Sequence, residues 1–206
     1  MTALTDLAAP AKLNLFLHVT GRKPDGYHLM QSAFLLLDWC DVLHIDLIQG
    51  GQIEREDLGP PLPADDLIVR AARLLQQASA CSLGAHIAID KRLPAMAGLG
   101  GGSSDAATTL IALNRLWGLG WKRPQLAQLG LQLGADVPFF IFGRHAWAEG
   151  IGEQLTPLDL PRQRWVVVKP PSGLSTAAIF GDPHLNRSHK SVTISDFVAP
   201  VSYTHL

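Results

Sequence analysis

Three groups of residues in this 206-residue chain have types and spacings that can do chemistry. The first is the stretch Pro94 to Leu110, P-A-M-A-G-L-G-G-G-S-S-D-A-A-T-T-L, where Gly98, Gly100, Gly101 and Gly102 lead into Ser103, Ser104 and Asp105. Glycines permit positive φ and let a backbone approach a ligand with no Cβ in the way. Ser or Asp at the junction can cap the first free amides of the helix that follows, and those amides face whatever sits in the loop. A glycine loop opening onto a helix N-terminus is an anion site, and phosphate is the usual anion. The second group is Lys12 and Asn14, two positions apart on one face of an otherwise apolar strand. The third is Asp136, set between a helix end and the very apolar run Val137-Pro138-Phe139-Phe140, which reads as a strand. A carboxylate there is either neutralised by a hydrogen bond or ion pair, or present for function.

The loop is none of the commoner phosphate motifs. It lacks a G-K-[ST] ending, which excludes a Walker A loop, and Ser103 stands where G-x-G-x-x-G needs its third glycine. A flexible Gly/Ser linker would not be flanked so tightly by a strand-like run and an apolar helix. Lys12 and Asn14 also fit a solvent-facing strand edge. Tyr27-His28, just after the turn signal Pro24-Asp25-Gly26, also fits a half-buried strand pair.

The spacing Pro94-x-x-x-Gly98-Leu99-Gly100, continued by small residues, resembles the signature of the GHMP small-molecule kinases. The order of A-K-L-N-L-F-L (Ala11 to Leu17), D-G-Y-H (Asp25 to His28), L-I-V-R-A-A-R-L-L (Leu67 to Leu75), D-K-R-L-P (Asp90 to Pro94) and L-G-A-D-V-P-F-F (Leu133 to Phe140) is similar to one branch of that family. That branch acts on 4-diphosphocytidyl-2-C-methyl-D-erythritol in the non-mevalonate isoprenoid route, and the likeness runs to about Pro183. The resemblance implies ATP and Mg²⁺ as cofactors and transfer of a phosphoryl group to the 2-hydroxyl of that acceptor. Pro94, Ala95, Met96, Ala97, Gly98, Leu99, Gly100, Gly101, Gly102, Ser103 and Ser104 would cradle the triphosphate, with Ser103 or Ser104 near the β- and γ-phosphates and Mg²⁺. Lys91, Asp66 and Leu67 would border the nucleotide. Asp136 would touch the acceptor and take its proton as general base, and Lys12 would stabilise charge on the γ-phosphoryl beside it. Asn14 would orient the methylerythritol. Tyr27, His28, Thr176 and Phe180 would complete the cytosine side, with Phe180 sandwiching the base against Tyr27.

Two other readings keep the loop. A homoserine- or mevalonate-type kinase would share it without the cytosine pocket. A nucleotide-binding but inactive fragment would lack the further glycine motif that longer family members carry in a second, ferredoxin-like domain. Pro200 to Leu206 do not resemble the family, and a truncated gene or a foreign tail accounts for them. The expected division is residues 1–157 as the ATP-binding domain and 158–206 as the incomplete beginning of the second.

Composition narrows the field. At 47% hydrophobic, the chain can bury a sizeable core. A formal net charge of -1 with scattered Lys and Arg argues against a nucleic-acid or membrane-surface binder. Cys40 and Cys81 have no C-x-x-C spacing and read as free thiols of a reducing compartment. The eight histidines show no zinc spacing, so no protein-bound metal is expected. The expected protein is cytoplasmic, a monomer or weak homodimer acting on a small molecule.

The elements that must position these residues follow from periodicity. Strands are expected at Leu7 to Val19, His28 to Leu37, Asp41 to Ile48, Ala85 to Asp90, Ala146 to Glu149 and Trp165 to Lys169. Helices are expected from Leu67 to Ala78 with Asp65 or Asp66 as cap, from the loop to near Gly118, and from Arg123-Pro124 to Gly134. A short capped helix is expected over Ser175 to Phe180, and an irregular connection over Gly50 to Asp66. The sum is an α+β GHMP-kinase fold, a mixed sheet with packed helices. Without the strands that complete the second sheet, apolar surface should lie open near Trp165 to Val168.

Overall fold

The computed structural model describes the backbone of residues 2–170 and 176–198, with side chains from residue 179 onward in the second stretch. The readings of Pro171 to Gly173 as loop, Ser175 as cap and Pro200 to Leu206 as foreign tail lie outside the described residues.

Two long strands, β1 (Ala3–Arg22) and β2 (His28–Ile48), form an antiparallel hairpin. Its turn is the Pro24-Asp25-Gly26 signal. Gly26 has φ +94°, and the Asp25 carboxylate accepts from the Tyr27 amide at 3.1 Å. β2 is one strand where two were expected, because the pairing with β1 resumes at Cys40, opposite Pro10, after a register shift that leaves Leu37 to Trp39 without partners. It is also the spine of the sheet. Val42 to Ile48 pair with β4 (Gly84–Asp90), while Ser32 to Phe34 pair with β5 (Ala146–Glu149). β5 then pairs with β6 (Gln154–Pro157). β3 (Ile53–Asp57) runs parallel to β4 inside the connection expected to be irregular, a pairing its charged sequence I-E-R-E-D conceals. The result is a mixed six-stranded sheet.

Four helices pack on one face: α1 (Leu67–Ser79), α2 (Gly101–Leu116), α3 (Arg123–Gly130) and α4 (Val137–Phe142). Asp66 caps α1 by accepting from the Val69 amide at 3.1 Å, as its spacing predicts. Phe34, Leu43, Ile45, Ile87 and Ile89 of the sheet meet Ile68 and Leu75 of α1, Leu110 and Leu113 of α2, and Phe139 and Ile141 of α4. Each fully buried side chain of this size contributes about 1.5–3 kcal/mol.

Val137 to Phe140 correct the sequence reading: they form a helix, not a strand. A short apolar run has no period to separate the two. Pro138 in the first turn and Gly143 at φ +76° after the last decide it, since Pro suits a helix start and Gly the left-handed residue beyond its end. Trp165 to Lys169 are likewise not a strand. No described segment pairs with them, and Val166 and Val168 are largely exposed. Leu158, Leu160, Val192, Ile194 and Phe197 instead lie over the other face of the sheet. Ala33, Trp147 and Leu158 are buried there against Phe16, Val192, Ile194 and Phe197. Two short helices, α5 (Thr176–Gly181) and α6 (Ile194–Val198), lie in this part.

Candidate active site

The glycine loop joins β4 to α2. Gly98 and Gly100 both have φ +71°, and Gly100 is the N-terminal flank of α2 with no side chain capping the helix. Ser103, Ser104 and Asp105 therefore lie inside α2 rather than at a capping position, which corrects that expectation. The first amides of a sixteen-residue helix are left without a side-chain partner, and they suit an anion. A Cβ on Gly100 would lie 2.8 Å from Cζ of Phe140 and 3.3 Å from Cε of Lys12, so this glycine is required by space as well as by φ. Pro94 to Ala97 form the approach to the loop, with Met96 at φ +54° and its side chain exposed.

Lys12 reaches the loop through a strand irregularity. The pairing of β1 with β2 shifts register between Pro10 and Lys12, and the Lys12 amide donates to the Leu99 carbonyl at 2.9 Å. Pro10 has no amide of its own to keep the ladder regular. The Lys12 side chain is buried, and its ammonium donates to Asn14 Oδ1 at 2.8 Å. It lies 3.2 Å from Asp136 Oδ1 and 4.3 Å from the centre of the Phe34 ring. Asp136 precedes α4 but does not cap it, and its side chain is 36% exposed. One carboxylate edge thus meets the lysine while the group keeps access to solvent. Ser103 Oγ would be 3.7 Å from a Cβ on Gly134, which puts that hydroxyl beside the turn bearing Asp136. Lys12, Asn14, Asp136 and the loop, far apart in sequence, converge as expected.

Lys91 does not extend into open space. Its ammonium is held between Asp105 Oδ2, at 2.7 Å, and Asp41 Oδ2. Asp41 Oδ1 also accepts from the amides of Arg92 and Leu93, at 2.6 and 2.7 Å. A Cβ on Gly101 would sit 3.4 Å from Lys91 Nζ, so this cluster lies under the first turn of α2. Burial pushes the Asp105 carboxyl up to about 7, opposed by Lys91 and reinforced by Asp41. Oδ1 of Asp105 and Oγ of Ser104 are buried with no partner among the described residues. Sequence reasoning missed Asp41, whose place at the start of an alternating strand looked like an ordinary exposed position.

At the nucleotide border, the Asp66 carboxylate is occupied by capping α1 and by Arg55, at 2.9 Å. Leu67 stands nearer the loop, 3.4 Å from where a Gly102 Cβ would be. On the opposite rim Tyr27 is 59% exposed. Phe180 is stacked on His28, with ring centres 5.1 Å apart. Thr176 opens α5, and its side chain lies outside the described residues. Arg187, which sequence reasoning also missed, donates to His28 Nε2 at 3.0 Å.

Fold and loop together define a small-molecule kinase of the GHMP type. The model of the GHMP kinases N terminal domain matches residues 66–144, from the α1 cap through the loop and Asp136 to the end of α4. A 4-diphosphocytidyl-2-C-methyl-D-erythritol kinase of Paracidovorax citrulli (strain AAC00-1) is 62% identical over 203 residues, spanning 97% of this chain and 71% of that protein. A crystal structure of 4-(cytidine 5'-diphospho)-2C-methyl-D-erythritol kinase is 43% identical with a TM-score of 0.66, covering 75% of this chain and 55% of that one. Homoserine kinase from Cytophaga hutchinsonii, at 14% identity and TM-score 0.59 over 78% of this chain and 53% of its own, shares the fold alone. The chain belongs to the 4-diphosphocytidyl-2-C-methyl-D-erythritol kinases, ATP-dependent enzymes of the non-mevalonate isoprenoid route. These identities set aside the homoserine- and mevalonate-type readings. Among the described residues no helix is long and apolar enough to cross a membrane, and Cys40 and Cys81 are free thiols.

Proposed function

We propose that this chain transfers the γ-phosphoryl group of ATP to the 2-hydroxyl of 4-diphosphocytidyl-2-C-methyl-D-erythritol, with Asp136 as general base. The observation that carries the reading is the buried Lys12 ammonium lying 3.2 Å from Asp136 at the foot of an uncapped glycine-loop helix. Positioning and charge stabilisation dominate such transfers, because the protein has little covalent chemistry to perform. The amides of Gly101 to Ser103 would face the phosphates, and the α2 dipole would add favourable potential. Lys12, fixed at its backbone by Leu99 and at its side chain by Asn14, would meet charge developing on the transferred group. Asp136 would accept the hydroxyl proton from its open side.

Among the described residues no three His, Cys, Asp or Glu side chains converge on a metal site. Mg²⁺ would arrive on the triphosphate, held largely by phosphate oxygens as this cation prefers, with Ser103 or Ser104 nearby. Lys91 supports the loop from below in this reading, and Leu67 rather than the Asp66 carboxylate borders the nucleotide. Tyr27, His28 and Phe180 would bind the cytosine, with Thr176 nearby and Asn14 toward the methylerythritol. The balanced charge and free thiols favour a cytoplasmic protein, monomeric or weakly dimeric, acting on a small molecule and not on nucleic acid or membrane. The test is ADP release by the 206-residue chain with ATP, Mg²⁺ and the diphosphocytidyl acceptor. Asp136→Asn should lower turnover by about two or more powers of ten while ATP binding stays within twofold. Unchanged turnover removes Asp136 from the base role.

A further inference from the structure

Arg187 makes four hydrogen bonds on the rim of the site, all as donor. Its Nε donates to His28 Nε2 at 3.0 Å and one terminal nitrogen donates to the Leu185 carbonyl at 3.0 Å. The other donates to the carbonyls of Phe180 and Asp182, at 2.8 and 2.7 Å. A guanidinium has five N–H donors and no acceptor, and it stays protonated in proteins. The imidazole nitrogen facing it must therefore present a lone pair. In a neutral imidazole whose Nε2 is an acceptor, the proton is on Nδ1. Burial, together with the positive charges of Arg187 and Arg22, pushes the His28 imidazole below its ordinary value and keeps it neutral. No described residue engages Nδ1. The same guanidinium ties down the turn that carries Phe180, whose ring stacks on the imidazole at 27° between planes.

We infer that Arg187 is a positioning residue of the base site: it fixes His28 as the Nδ1–H tautomer and seats Phe180 on the imidazole, so that the rim offers a donor to the ring acceptors of a cytosine. This rests on the reading of Tyr27, His28 and Phe180 as the cytosine side. Cytosine carries acceptors at N3 and O2, so an Nδ1–H suits it where a lone pair on Nδ1 would not. The planar fork is needed because one group must serve an imidazole and three carbonyls at once. An ammonium on a flexible stem cannot hold that arrangement.

Two measurements test it on the full chain. Ring-¹⁵N histidine spectra at neutral pH, with His28 assigned by comparison with His28→Gln, should show Nδ1 protonated and Nε2 unprotonated. Arg187→Lys and Arg187→Ala should both shift His28 toward the other tautomer. A protonated Nε2 in the unaltered protein, or an unchanged pattern in both variants, overturns the inference. Titration with CDP should weaken by about tenfold in Arg187→Lys, which keeps the charge and loses the fork, while ATP affinity stays within twofold. Equal weakening of CDP and ATP would mean a merely structural arginine and overturn the inference. If His28→Gln weakens CDP and neither Arg187 variant does, the inference falls alone. If His28→Gln also leaves CDP binding intact, the cytosine reading itself falls, whatever the tautomer.

Discussion

The floor and the rim of this site are built in opposite ways. The floor consists of the glycine loop, Lys12 and Asp136, and every piece is bound to the sheet or to a long helix. Lys12 is buried, its amide is bonded to Leu99, and Gly100 is packed against Phe140. The rim consists of Tyr27, His28 and Phe180, side chains at a hairpin turn and a short helix, held mainly by one arginine. Phosphoryl transfer tolerates little error in the placement of reacting groups, whereas stacking on a base tolerates more. The difference teaches that the part of the site proposed to do the chemistry shares its support with the core. The part proposed to choose the acceptor does not.

Gly100→Ala should have the largest effect. It forces a Cβ into Phe140 at φ +71°, so about 1–3 kcal/mol of stability should be lost, and turnover should fall with it because Lys12 is displaced. Chemical denaturation together with ADP release would read both. A variant as stable and active as the parent would dissolve the claim that floor and core are one structure. Tyr27→Ala tests the other side. The ring is mostly exposed, so melting temperature should hold while the KM for the diphosphocytidyl acceptor rises about tenfold and that for ATP does not. A drop in melting temperature of several degrees would erase the contrast.

Asp105→Asn sharpens the comparison through stability rather than turnover, with an effect that depends on pH. The native carboxyl is pushed up to about 7 from an ordinary 3.8. Between those values the native state holds a proton that the unfolded chain has released, so stability falls as pH rises from about 4 to about 7. The asparagine variant should lack this slope and gain stability at pH 8 relative to the parent, with little gain near pH 4. Urea midpoints at the two pH values decide it, and an equal difference at both would show that Asp105 does not titrate in this way.

Much of the floor was legible in the sequence because its signals are local. Four glycines, a following apolar helix and an out-of-place aspartate each stand out within a few residues. Lys12 was legible for the same reason, as a cation in an apolar strand. The helix at Val137 to Phe140 was not, since six apolar residues carry no period and only Pro138 and Gly143 mark its ends. Asp41 and Arg187 were hidden because their partners are distant: Asp41 meets Lys91 and Asp105, and Arg187 meets His28 across most of the chain. β3 was hidden by its charges, which a strand on one side of β4 can carry on its exposed positions. Backbone pairing, unlike a motif, leaves no mark on residue type.

The hydrogen bond from the Lys12 amide to the Leu99 carbonyl also orders events in time. Leu99 follows β4 in the chain, so it is expected to reach that position once β4 has docked on β2, after a β1–β2 hairpin that needs no phosphate site. Contacts so distant in sequence close late, when the loop-closure cost has been met by other pairings. A half-folded chain thus has a lysine but no cradle for an anion. Nucleotide should bind the completed fold and not its precursors, and by mass action it should draw the last step of folding forward.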